Sequence, residues 1–196
     1  MNILDIQFRV HQHCVRYNAD IYNFKTAEKI QHYALVIGRL SSDYFQMRDE
    51  PNNAAHGVVL FLNVCTIANF LNVDLPKKAM TDGRVLKTLQ ENIDYWHQHP
   101  GLDQKMILIK YIGAMGTYCK IAEAIDHMEP MDFRTEVNKV LIDLYHLSFC
   151  MLALAGTKED YAKYLLVEAV RDKEFDHHAK DALGLFSLDD DLYLPF

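Results

Sequence analysis

Apolar residues recur along this chain at spacings of three and four over long stretches, and the 8 Gly and 5 Pro are few enough to leave those stretches long. That period turns one face of an α-helix toward a core. It predicts helices at 2–17, 26–47, 52–71, 84–99, 104–127, 133–155 and 159–180, with a short one after Pro76. Thr26 suits an N-cap. Asn72-Val73-Asp74-Leu75-Pro76 and Ala155-Gly156-Thr157-Lys158-Glu159 carry turn and stop signals. Val58, Val59, Ile67 and Val73 would also suit a strand, but the Leu-, Ala- and Asn-rich window around them is too long for one. The expected fold is all-α.

The helical pattern then repeats. Segments 2–17, 26–47 and 52–71 recur as 84–99, 104–127 and 133–155, with Pro51 and Pro130 in the same connection of each set. Leu35 to Leu40, centred on Gly38, echoes Lys110 to Met115, centred on Gly113. Gly57 to Leu62 echoes Lys139 to Leu144. Three such helices do not bury their apolar faces alone, so the two sets are expected to pack on each other as a pseudo-twofold bundle. The expected organisation is a first repeat over 1–80, a second over 84–171 and an acidic C-terminal tail over 172–196.

Half of the 196 residues are hydrophobic, enough for a real core, and the formal net charge is −7. Between Asp172 and Asp191 two Lys face seven acids, so the tail carries most of that charge and the body is close to neutral. No broad basic face is implied, which excludes a duplex nucleic acid partner held by phosphate neutralisation. The N-terminal stretch breaks its apolar run with Asp5 and Arg9 and lacks a signal-peptide cleavage pattern. Its apolar runs read as falling short of the ~18 uncharged residues of a membrane span, so the expectation is a cytoplasmic protein without a membrane partner. Cys14, Cys65, Cys119 and Cys150 lack Cys-x-x-Cys spacing and read as small core residues in a reducing compartment. His11/His13 and His97/His99 are i, i+2 pairs, which diverge on a helix. His177-His178 lies in the tail, and no metal site is expected from the histidines.

Leu89-Gln-Glu-Asn-Ile-Asp-Tyr-Trp-His-Gln-His-Pro-Gly-Leu, the run from Leu108 to Asp126 and Thr135-Glu-Val-Asn-Lys-Val-Leu-Ile-Asp-Leu resemble the MazG-like all-α nucleoside triphosphate pyrophosphohydrolases. Residues 2–80 resemble a second, more eroded copy. The resemblance implies helices meeting across a four-helix core, with Mg²⁺ held by Glu-x-x-Glu on one helix and Glu-x-x-Asp on the next. An i, i+3 pair shares a helix face, and Mg²⁺ takes hard oxygen ligands. It also implies a small chain of bacteria or their viruses, and hence a phage origin as one expectation.

At the aligned positions this chain has mostly lost those acids. The Gly-Glu-x-Gly-Glu pattern reads Gly113-Ala114-Met115-Gly116-Thr117, with Lys120 one turn on, and Glu-x-x-Asp reads Glu136-Val137-Asn138-Lys139. The first-half counterparts are Arg39, Ser42, Ala54 and Gly57. One carboxylate does not hold a catalytic Mg²⁺ in the usual way. Lys and Arg bind phosphate directly, so the expected function is gripping a phosphorylated nucleotide without cutting it, with no cofactor. The nucleotide-binding candidates are Lys120, Lys139, Arg39, Lys110 and Trp96. Trp96 reads either as a base-stacking platform or as a core anchor. An alternative stays open in which Glu123, Asp126, Glu136 and Asp143 rebuild a shifted Mg²⁺ site and hydrolysis survives, the metal held by Glu136 and Asp143. A structural interaction protein is the third reading, and a homodimer remains open.

Overall fold

The computed structural model describes residues 1–46 and 53–180, with side chains through 170. Pro51, the side chains of the acidic tail and the His177-His178 pair lie outside the described residues. Among the described residues the fold is all-α, built from α1 (Ile3–Tyr17), α2 (Ala19–Tyr22), α3 (Thr26–Gln46), α4 (Asn53–Leu71), α5 (Leu75–Lys78), α6 (Leu89–His97), α7 (Gln104–Asp126), α8 (Phe133–Leu154) and α9 (Glu159–Lys180).

Capping chemistry explains most of these boundaries. Asn2, Asp74, Asp103 and Asp132 each accept a backbone N–H of the following first turn. The helix expected from residue 84 starts at Leu89, because Thr88 forms a capping box. Its hydroxyl accepts from Glu91 N–H at 3.2 Å, and the Glu91 carboxylate accepts from Thr88 N–H at 2.9 Å. The Thr88 and Lys87 N–H groups, both donating to it, hold the Glu91 carboxyl below its usual range. Thr26 is the first helical residue rather than the cap, and Glu28 reaches back to Lys25 N–H at 2.7 Å. Helices α4 and α8 leave by the same turn. Asn72 and Gly156 take positive φ (56° and 62°), while Val73 N–H bonds Ala68 O at 2.8 Å and Thr157 N–H bonds Leu152 O at 3.0 Å.

Helices α4 and α8 form the centre. They pack on each other, and α4 also carries α1, α3 and α9 while α8 carries α6, α7 and α5. Phe61, Tyr145 and Phe149 meet at their crossing with ring centroids 5.0–6.1 Å apart. Helices α3 and α7 pack on each other, and Tyr44, Asn53 and Gln104 join α3, α4 and α7 in one polar ring. Burial raises the Tyr44 phenol to about 12.

The expectation that no uncharged stretch reaches membrane length is corrected. Asn53–Leu71 contains no Asp, Glu, Lys or Arg, and both it and Phe133–Leu154 are long and apolar enough to cross a membrane. Two thirds of each is buried inside the fold, so their apolar surface is used in helix packing. Cys14, Cys65 and Cys150 are buried thiols outside any disulfide, as expected, whereas Cys119 is exposed.

His146 gives the fold a pH dependence. Its Nε2 lies 3.3 Å from Ala79 O, and burial lowers its pKa below the ordinary 6.5, so the folded chain holds it neutral. Burial likewise lowers His56. The unfolded chain takes up these protons as pH falls through about 6.5, and the folded chain does so only at lower pH, so stability falls on acidification. Urea midpoints are expected to drop between about pH 7.5 and 5.5, with a shallower drop in His146→Gln. An equal slope in both proteins overturns the assignment.

Candidate functional site

The positions that the resemblance assigns to magnesium ligands do not form a described cavity. On α7, Ala114 is buried against the core, while Thr117 is exposed and its hydroxyl bonds Gly113 O at 3.0 Å. Lys120 is exposed on the same helix. On α8, Lys139 is exposed and its Nζ lies 2.6 Å from Glu136 Oε1, so the surviving acid and the intruding cation neutralise each other. Gly57 and Lys139, aligned in sequence, sit in opposite surroundings. Gly57 is buried against the α8 backbone, whereas Lys139 faces outward. Ala54 is buried, and Ser42 and Arg39 are exposed.

The alternative acid set is not assembled either. Glu123, Asp126 and Asp143 are exposed, and among the described residues no three His, Cys, Asp or Glu side chains gather as a metal-binding group. An i, i+3 or i, i+7 spacing aligns acids on a helix face without making two helices converge on one point.

Trp96 and Lys110 do come together, as a cation over an indole: Lys110 Nζ lies 5.4 Å from the ring centroid. Of its two readings, the setting of Trp96 matches the core anchor: it is 5% exposed and its ring is flanked by Tyr95, His99 and His146 at 5.1–5.5 Å. A base does not stack there without displacing core side chains.

A cavity of about 130 Å³ opens instead in the first half, between α1, α3 and α4. Its polar walls are Arg9 and His13 from α1, His32 and Tyr33 from α3, and Asn63 and Thr66 from α4. Ile6, Val10, Val36 and Leu62 supply apolar surface, and Val170 of α9 closes one side. No described residue lining it is a carboxylate. Asn63 and Thr66 direct donors to the Val59 and Leu62 carbonyls of their own helix, at 2.8 and 3.0 Å, so their polar atoms are tolerated in an apolar helix. Burial, and after it the charge of nearby Arg39, lowers the pKa of His32. Arg39 is thus the sequence-predicted cation whose field reaches this cavity. A larger and more open space of about 280 Å³ beside Phe70 and Phe133 has Arg134, whose guanidinium donates to Leu71 O.

Sequence reasoning missed this cavity. The available signal was Asn63 and Thr66, three residues apart in the most apolar helix, where polar side chains need a partner. A pocket whose described lining holds a guanidinium and two imidazoles and no carboxylate suits an anionic group, and its apolar walls suit a small ring. No family model matches this chain, and no curated protein or solved structure matches it.

Proposed function

We propose that this chain is a duplicated, MazG-like helical unit that has lost its magnesium-holding acids and binds a phosphorylated nucleotide without hydrolysing it, in the cavity between α1, α3 and α4. The observation that carries the reading is the cavity's lining: Arg9, His13 and His32 with no described carboxylate among them. Such a site attracts an anion directly and offers no hard-oxygen cage for Mg²⁺. Ala114, Thr117 and Lys139, at positions where acids would bind the metal, support the loss of hydrolysis.

The packing supports duplication. Exchanging α1, α3, α4 and α5 with α6, α7, α8 and α9 turns each main contact between these helices into another: α1 on α4 becomes α6 on α8, α3 on α4 becomes α7 on α8, and α5 on α8 becomes α9 on α4. The α3–α7 and α4–α8 contacts map onto themselves, as contacts along a twofold axis must.

Isothermal titration of the full chain with nucleoside mono-, di- and triphosphates and cyclic nucleotides tests the reading. Saturable binding with Kd at or below about 100 µM, roughly −5.5 kcal/mol, is expected without release of phosphate or pyrophosphate in Mg²⁺. Arg39→Glu is expected to weaken it by reversing the charge beside His32. No binding at high micromolar concentration overturns the proposal. Pyrophosphate release abolished by Glu136→Ala replaces it with the hydrolase reading.

A further inference from the structure

We infer that the cavity between α1, α3 and α4 receives a planar aromatic ring carrying an anionic group, in the place where the second half of the chain inserts its own Trp96. The inference deepens the binding reading above and rests on the same cavity.

The start of the two related helices sets the register. Asn2 and Thr88, the N-caps of α1 and α6, pair directly: Ile3 N–H donates to Lys87 O at 2.8 Å and Leu89 N–H donates to Met1 O at 3.0 Å. The two bonds exchange under a twofold rotation. Counting from that pair, Ile3, Ile6, Gln7 and Val10 correspond to Leu89, Asn92, Ile93 and Trp96, and all eight are buried. One turn on, His13 corresponds to His99.

The matching exits of α4 and α8 set the register there, with Ala68, Asn72 and Val73 against Leu152, Gly156 and Thr157. Leu62 then corresponds to His146, a register two residues away from the sequence echo that set Gly57 against Lys139. In the second half the Trp96 indole is surrounded by Tyr95, His99 and His146, with Lys110 of α7 over its face. Their first-half counterparts are Arg9, His13 and Leu62, with α3 in place of α7, and each of these lines the cavity. Where one half holds an indole, the other holds the smaller Val10 and an open space.

Size and chemistry agree with that reading. A cavity of about 130 Å³ is close to the ~150 Å³ of an engineered protein cavity that takes benzene. His13, which lines the cavity and lies 4.8 Å from the Tyr17 ring, holds the place of His99, whose ring lies against Trp96 with centroids 5.1 Å and planes 37° apart. Arg9 replaces Tyr95 and puts a cation at the ring's edge. A nucleobase with its phosphate and a free aromatic carboxylate share this chemistry.

The test titrates the full chain with indole, indole-3-acetate, adenosine monophosphate and inorganic phosphate, and repeats each titration on Val10→Trp. Ring-bearing probes are expected to bind one per chain, phosphate far more weakly, and Val10→Trp is expected to fold and lose ring binding at least tenfold. NOEs from indole protons to the Val10 and Leu62 methyls of the unmodified chain decide the matter independently if the variant does not fold. Their absence, or equal ring affinity in a folded Val10→Trp, overturns the inference. Nucleotide binding unchanged by Val10→Trp leaves nucleotide binding standing while this pocket falls. Indole-3-acetate binding without any nucleotide binding does the reverse.

Discussion

Phe149→Ala is expected to lower the unfolding free energy by about 3–5 kcal/mol, the cost of removing a buried aromatic ring and leaving a cavity. Phe149 is fully buried where α4 crosses α8, and it packs edge-on against Phe61 at 5.3 Å and Tyr145 at 5.0 Å. Those two helices carry every other layer of the bundle, so the loss is not confined to one edge. Against a typical total of about 5–15 kcal/mol, the variant sits near its folding threshold. Urea denaturation followed by circular dichroism measures the change. A loss below about 1 kcal/mol would mean that the α4–α8 crossing is not what holds the molecule together.

The second large effect is a sign reversal. Replacing a helical Gly by Ala stabilises an open helix by about 0.5–1 kcal/mol, because Gly has more backbone entropy to lose. Gly113 on α7 has nothing within 4 Å of an added Cβ, so Gly113→Ala is expected to raise stability by that amount. Gly57 on α4 is different. A Cβ there would lie 2.8 Å from Ser148 O and 3.1 Å from Leu152 Cγ and Met151 Cβ of α8. The Ser148 carbonyl belongs to a packed helix backbone and does not swing aside. The overpacking cost of about 1–3 kcal/mol therefore outweighs the propensity gain, and Gly57→Ala is expected to be destabilising. Thermal unfolding of the two variants side by side checks both signs. If both stabilise, α4 and α8 do not approach as closely as this.

The cationic positions teach a related lesson. Lys120, Lys139 and Arg39 stand out by residue type, as cations at positions that the resemblance assigns to magnesium ligands. Alignment carries no information on where a side chain ends. Lys139 bonds Glu136 one turn away, and Lys120 and Arg39 are exposed on their helices. Arg9, His13 and His32, by contrast, wall an enclosed space.

Local interactions determined the helices and their ends, and local interactions are written in the sequence. The 3.6-residue apolar period and the stop signals at Asn72 and Gly156 each act within a few residues, so the long helices and the all-α class were legible before any coordinates, whereas the short α2 and the cap at Thr88 were not read there. Burial of Trp96, the close approach at Gly57, the outward course of Lys139 and the space beside Val10 depend on which helix faces which and in what register. Those are set by side chains far apart along the chain packing to a common density, and only the tertiary structure decided them.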